Sequence, residues 1–458
     1  MMAAMLARAQ LRRRPAGFAG LAVALLLAVA TVTALGALLG AEHGVPAAER
    51  REIRGPGLGL IVGAFGEITV LVAFFVALNT LGFALRHQYR DLALLRTVAA
   101  TPRQIRQLLR RQAALTVLLV AAPGALLGAA AARSALVALQ HRAMAAPHAR
   151  IGGLLPAAAV ATAVTLLVAT LAATLIARQV TAPTPAAALA DSSGPDRRPG
   201  VARLLAAVAA LAGGALLVRL AATRPAAEVD KAAQATLLGT LVLLVAVALA
   251  GPLLVPLATV PLGRALRALL PVAGWQADAN LRGYARRLAS AAVPIALLTG
   301  LTATMATMTG TALHAAAGPP EGATSATDTW LRQAELGLLG AFGAIATVTT
   351  LVALTGERRR EFALLRLLGA TRADVLRVVT LEAALTAAVG LLLGGAVTAV
   401  TTVAFSLAAT GSPVPTVPAA TCARIAAAAT LLTVPAMLAA ATVAMRRPPA
   451  EVAGGAQD

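Results

Sequence analysis

Few side chains in this sequence have the type and spacing that chemistry requires. Lys231 is the only lysine, and the residues just before it, Glu228-Val229-Asp230, contain no glycine. A P-loop that binds nucleotide phosphates requires the pattern G-x-x-x-x-G-K-[ST]. The chain therefore contains no standard phosphate-binding loop, and we expect ATP with its Mg²⁺ to be bound by another polypeptide.

The five histidines and the single cysteine, Cys422, are scattered along the chain. No pair of them has the spacing of metal ligands, and one cysteine cannot form a disulfide framework. No Ser/His/Asp arrangement is evident either. We therefore expect no metal site, no bound cofactor and no enzymatic activity in this chain.

Two polar residues, Glu67 and Asn79, interrupt the apolar stretch 55–85. A carboxylate within a membrane span is costly and often functional, so Glu67 is a candidate contact for a substrate or a proton. Its position near the outer end of the stretch leaves simple hydration as the alternative. Asn79 lies deeper and is better explained by a hydrogen bond between helices.

A basic segment occurs twice in the chain. It reads RDLALLR at 90–96 and REFALLR at 360–366, a spacing of 270 residues. After the second copy, Gly369 is typical of a helix C-cap, and Thr371 with Asp374 is typical of a capping box. Thr101-Pro102 begins the equivalent sequence after the first copy.

Each copy therefore predicts two helices joined by a tight turn. The alternative is a solvated basic loop, but such a loop does not require the apolar residues, the turn and the cap to recur together. In the second copy the apolar residues are predicted to share one side of the first helix, which suits a helix at a membrane surface. They are Phe362, Leu364, Leu365 and Leu368.

The composition excludes several classes of protein. Of the 458 residues, 59% are hydrophobic and 13% are charged, and the net charge is +20. A soluble protein this apolar would expose large adhesive patches, and a disordered chain would be more polar. Aromatic residues make up 3% and the arginines form no single block, which argues against a nucleic-acid partner. A multi-span protein of the lipid bilayer fits these values.

A membrane helix needs about 20 apolar residues. We predict an all-α, polytopic membrane protein with about ten transmembrane helices, arranged as two four-helix repeats plus two linking helices. The predicted domains are 1–190 for the first repeat, 191–265 for the linking helices and 266–458 for the second repeat. The predicted spans lie in 16–41, 55–85, 113–132, 151–177, 204–218, 232–263, 288–320, 336–356, 383–422 (one span followed by an outer loop) and 425–445.

Three details qualify these spans. Leu204–Val218 is the shortest, and the arginines at its ends are expected to snorkel. The prolines of 252–261 predict a kinked or broken helix, and the Pro-rich stretch 411–418 predicts an outer loop.

The arginines predict the orientation of the spans. With both termini in the cytoplasm, most basic residues fall on the inner side, as the positive-inside rule requires. The location is then the cytoplasmic (inner) cell membrane. The N-terminal apolar run resembles a secretory signal peptide but is longer than the usual core of such a peptide, so we expect a retained helix.

Arg358–Thr371, followed by Leu381-Glu382-Ala383 and a glycine-rich span, resembles the FtsX-like permease domain of ABC transporters of the MacB, LolC/LolE and bacitracin-exporter type. The first copy departs from the pattern, because Asp91, Ala99 and Gln112 stand where the family has Glu, Gly and Glu. The resemblance covers both predicted repeats.

The resemblance implies a permease subunit that docks a separate ABC ATPase subunit, with a second permease copy as a further partner. It implies export or extraction of a lipid-like or peptide substrate. The alternatives are a non-transporting relay of ATPase movement and a secondary transporter without an ATPase. The residues to which the resemblance assigns ATPase docking are Arg90, Asp91, Arg96, Arg360, Glu361, Arg366, Gly369 and Glu382.

Overall fold

The computed structural model describes most of the chain. The described residues are 15–43, 45, 101–142, 144–181, 201–225, 228–269, 285–315 and 324–450, with 59, 62–63, 65–66, 69–70, 72–74, 76–78 and 80–82. Glu67 and Asn79, the two polar residues of the second predicted span, lie outside them. Arg90, Asp91 and Arg96 of the first basic segment also lie outside them.

The described part of the chain is helical and contains no strand. Its elements are α1 (Pro15–His43), α2 (Pro102–Gln140), α3 (Leu154–Thr181), α4 (Val201–Ala222), α5 (Val229–Leu269), α6 (Ala285–Ala315), α7 (Thr324–Gly356), α8 (Arg359–Leu367), α9 (Arg372–Thr410) and α10 (Ala419–Ala444). The described residues between 59 and 82 are helical as well.

Within the described ranges, nine helices, all except α8, contain a segment long and apolar enough to cross a membrane. The prediction of an all-α, polytopic membrane protein is therefore confirmed. The short candidate Leu204–Val218 lies within α4, whose apolar segment Arg203–Ala222 reaches spanning length. Gly411 has a left-handed backbone (φ 69°) and ends α9, and the Pro-rich residues that follow are not helical, as predicted.

The helices repeat at the spacing of the basic segments. α1 and α6 begin at Pro15 and Ala285, and α2 and α9 begin at Pro102 and Arg372. Both pairs are offset by 270 residues, and α2 and α9 each have 39 residues. The sequence repeat is therefore a repeat of structure, since equivalent caps begin equivalent helices.

The chain forms two compact units. The first comprises residues 1–194 and 321–338, and α1, α2 and α3 pack together in it. The second comprises residues 195–320 and 339–458, where α9 packs against α4, α5, α6 and α10. The domain limits predicted at 190 and 265 stay a prediction.

The linking helices α4 and α5 meet at a proline and an arginine. α5 is one continuous helix through Pro252, so of the two predicted forms the broken helix is excluded, and the kink stays a prediction. The guanidinium of Arg203 donates hydrogen bonds to the carbonyl oxygens of Ala248 (3.2 Å) and Leu249 (2.9 Å), and the snorkelling of the arginines that flank this span stays a prediction. Since proline has no N–H, Pro252 leaves the Ala248 carbonyl without its helical donor. Arg203 supplies the missing donor.

Candidate functional site

The second basic segment forms a short helix and a tight turn. α8 ends at Leu367, and Gly369 follows with a left-handed backbone (φ 99°). The amide of Gly369 donates to the Arg366 carbonyl (3.2 Å), and the amide of Ala370 donates to the Leu365 carbonyl (3.1 Å). These two bonds form a Schellman motif, which explains the glycine. The predicted helix C-cap at Gly369 is confirmed.

The turn leads directly into α9 through a capping box. The Asp374 amide donates to the Thr371 hydroxyl (3.2 Å), and the Thr371 amide donates to the Asp374 carboxylate (3.0 Å). Both helix ends are thus satisfied by local bonds, and only four residues separate α8 from α9. The predicted helix–turn–helix is present in the second copy.

Arg358, just before α8, lies at the centre of a charged cluster. Its Nε and Nη2 donate to Glu361 (2.9 and 2.6 Å), and Nη2 also donates to Glu382 Oε1 (3.2 Å). A further ion pair joins Nη1 to Glu382 Oε2. Glu361 belongs to α8 and Glu382 to α9, so one guanidinium links the two helices. We call Arg358, Glu361 and Glu382 the charged cluster.

The charged cluster is largely removed from water. The side chains of Arg358 and Glu382 are 6% and 5% exposed, and that of Glu361 is 26% exposed. Burial opposes the charge of Arg358, but the hydrogen bond to Glu361 and the charge of Glu382 outweigh it and raise the pKa of Arg358 above its usual value. The guanidinium also lies 5.0 Å from the ring centre of Phe362, within cation–π distance.

A second polar contact ties α8 to the last helix. Arg366 Nη1 donates to the carbonyl oxygen of Met445 (3.2 Å), the residue that follows α10. A cation near a helix C-terminus satisfies carbonyls that lack an intrahelical donor. α8 is therefore held to α9 at its beginning and to α10 near its end.

The outward side of α8 and its turn is apolar and basic. Leu364, Leu367 and Leu368 are 46%, 55% and 86% exposed, and Arg360 is exposed as well. We call these four residues the turn surface. The four apolar residues expected to share one side of this helix, Phe362, Leu364, Leu365 and Leu368, differ in burial, and its placement at a membrane surface stays a prediction. Phe362 is buried (1% exposed), while Leu364 and Leu368 are exposed.

The predicted docking residues of the second copy fall into two groups. Arg360 and Gly369 are exposed, whereas Glu361, Arg366 and Glu382 bind other residues of the same unit. Arg358 was not among the predicted residues. Two signals in the sequence indicate it: the helical spacing of Arg358 and Glu361, and the joint replacement of Arg358 and Glu382 by Gln88 and Gln112 in the first copy.

The first copy is described only from its second helix onward. Thr101 and Gln104 form the predicted capping box, with Pro102 as the first residue of α2. Gln112, the counterpart of Glu382, is fully buried. The hydroxyl of Thr116 donates to the Gln112 carbonyl (2.9 Å), as that of Thr386 does to the Glu382 carbonyl (2.6 Å). Residues 112 and 382 are therefore both buried and both accept a threonine hydrogen bond within their own helix.

Among the described residues, no cluster of three His, Cys, Asp or Glu side chains could hold a metal ion. The arrangement instead joins a short exposed helix to long membrane helices through buried charge. Such an arrangement suits the transmission of movement between them.

Comparison with known protein families agrees with the repeat. Residues 63–184 and 335–449 match the family described as FtsX-like permease C-terminal, and together these matches cover just over half of the chain. Each match contains one copy of the basic segment. No curated protein matches the sequence. The chain belongs to the FtsX-like permease family and contains two FtsX-like domains.

Proposed function

We propose that this ABC transporter-type permease subunit couples ATP hydrolysis by a separate ATPase subunit to export or extraction of a lipid-like or peptide substrate. The ATPase binds ATP and Mg²⁺, and a second permease copy completes the complex. The observation that carries the proposal is the charged cluster, because it joins the exposed helix α8 to the membrane helix α9.

The geometry of α9 supports transmission across the membrane. Its 39 residues span about 58 Å at 1.5 Å per residue. That length exceeds the hydrocarbon core of a bilayer, about 30 Å. A force applied to α8 reaches the beginning of α9 through the charged cluster and the short turn, and it reaches the end of α10 through Arg366. Two membrane helices therefore respond to one displaced docking helix.

The turn surface supplies the contact with the ATPase in this proposal. Three leucines and an arginine exposed at a tight turn form an apolar projection, which suits insertion into a groove of a partner protein. Glu361, Arg366 and Glu382 then position the helix rather than touch the ATPase. In this proposal the chain has the orientation that its arginines predict, with α8, the turn surface and both termini on the cytoplasmic side of the cell membrane.

Site-specific photo-crosslinking in membranes of the native host tests the docking. A photoreactive amino acid at position 368 should cross-link to a polypeptide that mass spectrometry identifies as a P-loop ATPase. The matched control is position 414, where Val414 is 74% exposed beyond the opposite end of α9 and should give no such product. Equal cross-linking from both positions, or none from position 368, would contradict the proposal.

Reconstitution distinguishes transport from a relay of ATPase movement. The complete complex is placed in liposomes of host lipids, and the lipids released to an acceptor are compared with and without ATP. Transport of a lipid-like substrate predicts ATP-dependent release of a lipid species. A relay predicts ATP hydrolysis with an unchanged lipid distribution, and that result would reject transport of such a substrate.

A further inference from the structure

The second unit contains a cavity of about 360 Å³ between α6, α9 and α10. Pro415 and Val417, from the segment that joins α9 to α10, line one end of it. The cavity residues of α9 lie in the second half of that helix, far from α8. Since all three helices are of membrane-spanning type, the cavity lies within the apolar part of the protein.

Four threonines line the cavity, and three of their hydroxyls are already bonded. Thr299, Thr398 and Thr402 donate to the carbonyls of Ile295 (2.8 Å), Gly300 (3.1 Å) and Thr398 (2.7 Å), respectively. Thr307 differs from them. It is 1% exposed, and its buried hydroxyl has no hydrogen-bond partner within the described part of the chain. Thr307 is therefore the threonine of the cavity wall whose buried hydroxyl lacks a partner among the described residues.

The hydroxyls are not a by-product of the repeat. At the 270-residue offset, the first copy has apolar residues or glycine at all four threonine positions. They are Val29, Ala37, Gly128 and Ala132. The polar lining belongs to the second copy alone, so the helix packing that both copies share does not require it.

We propose that this cavity binds one acyl chain of a membrane amphiphile, with the Thr307 hydroxyl donating a hydrogen bond to the carbonyl oxygen of the chain. Every residue that lines the cavity is uncharged, and half of them are alanine, valine, leucine or isoleucine, which suits a hydrocarbon chain. Ligand pockets commonly have volumes from about 300 Å³ upward and combine apolar walls with a few polar groups. The bilayer around these helices supplies such chains.

This inference goes beyond the docking of an ATPase and does not depend on it. Cys422 lines the cavity and is the only cysteine of the chain, so its alkylation reports occupancy without background. The full chain is purified in a steroid-based detergent without a flexible alkyl chain. The rate of Cys422 alkylation by N-ethylmaleimide is then followed by mass spectrometry against added palmitoyl lysophosphatidylglycerol.

At about ten times the half-protecting concentration, lysolipid should slow alkylation about tenfold, as mass action requires. Glycerophosphoglycerol, the same headgroup without the chain, should give no protection. Absence of protection by the lysolipid would overturn the proposal. Equal protection by the headgroup alone would overturn it too, because the cavity would then recognise a polar molecule.

Thr307→Val tests the hydrogen bond. Loss of one neutral bond should raise the half-protecting concentration roughly three- to tenfold. The matched control is Thr309→Val, since Thr309 donates to the Met305 carbonyl within its own helix and does not line the cavity. An equal half-protecting concentration for the two variants would overturn the assigned role of Thr307.

Gly395→Leu tests whether the acyl chain binds in this cavity. Gly395 lines the cavity, and a Cβ placed on it meets no atom within 4 Å, so the larger side chain can enter the cavity without a backbone clash. The variant should alkylate slowly even without lipid and show no lysolipid effect. Gly340→Leu is the control, because a Cβ there also meets nothing within 4 Å. Undiminished lysolipid protection in Gly395→Leu would place the ligand elsewhere.

Discussion

The two repeats share equivalent helices but have different residues at the end where those helices are capped. α2 and α9 have equal lengths and equivalent caps. At the capped end, the first copy has Gln88, Asp91 and Gln112 where the second has the charged cluster of Arg358, Glu361 and Glu382.

The membrane helices of the two repeats also differ in chemistry. A Cβ placed on Gly128 of α2 would press on the backbone oxygen of Ala30 in α1. At the equivalent place in the second copy, the Thr398 hydroxyl donates to the Gly300 carbonyl (3.1 Å). The first repeat thus achieves close approach with a glycine, and the second achieves a hydrogen bond with a threonine. One backbone arrangement therefore tolerates two interface chemistries.

The largest expected effect comes from breaking the charged cluster. Glu382→Gln leaves Arg358 buried with one charged partner fewer, and it should lower the free energy of unfolding by about 3 kcal/mol. The measurement is denaturant-induced unfolding in detergent micelles.

The first copy supplies the control for this variant. The triple variant Arg358→Gln, Glu361→Asp, Glu382→Gln reproduces Gln88, Asp91 and Gln112, and it removes the buried positive charge. It should be more stable than Glu382→Gln alone. A triple variant no more stable than the single one would show that the two copies are not interchangeable at these positions.

A smaller effect is expected at the glycine contact of the first repeat. In Gly128→Ala the new Cβ would lie 2.8 Å from the Cβ of Thr33 and closer still to the Ala30 carbonyl. Overpacking of this kind costs about 1–3 kcal/mol of unfolding free energy. Gly395→Ala is the matched control, because its Cβ meets no atom within 4 Å. Equal unfolding midpoints for the two variants would refute the close approach of α1 and α2.

The hydrogen bond from Thr398 to the Gly300 carbonyl in the second repeat should contribute less to the free energy of unfolding than the Gly128 contact does. Thr398→Val removes the bond to the Gly300 carbonyl and the contact with Thr304 (3.2 Å). Bonds between membrane helices average about 0.6 kcal/mol. Thr442→Val is the control, since that exposed hydroxyl donates only to the Ala439 carbonyl of its own helix. If Thr398→Val lost more unfolding free energy than Gly128→Ala, the hydrogen bond would contribute more to stability than the glycine contact, contrary to this prediction.

The smallest effect on stability is expected on the turn surface. Arg360→Glu changes an exposed side chain, so unfolding should shift by less than about 0.5 kcal/mol. Co-purification with the ATPase should nevertheless be lost, because the reversed charge faces the proposed partner. Arg90→Glu applies the same change to the first copy and shows whether both copies dock. Retained co-purification of the ATPase with Arg360→Glu would show that Arg360 is not part of the docking surface.

Local chemistry made part of the site predictable. The capping residues Thr101 and Thr371 and the turn glycine Gly369 act through bonds to residues within five positions along the chain. Their types and order therefore predicted where α2 and α9 begin and how α8 ends. Arg358 was missed because Glu382 lies 24 residues away in sequence. A run of three arginines, 358–360, does not reveal which member turns inward.

The sequence by itself determined the membrane-protein class, the helices and their repeat, because apolar length, caps and spacing act along one chain. Tertiary structure alone decided which charges are buried, which leucines are exposed, and where Thr307 and Cys422 meet in one cavity. These depend on the packing of helices distant in sequence, where a single guanidinium or hydroxyl selects its partner by direction and distance. Two repeats with the same helical framework therefore have different interiors.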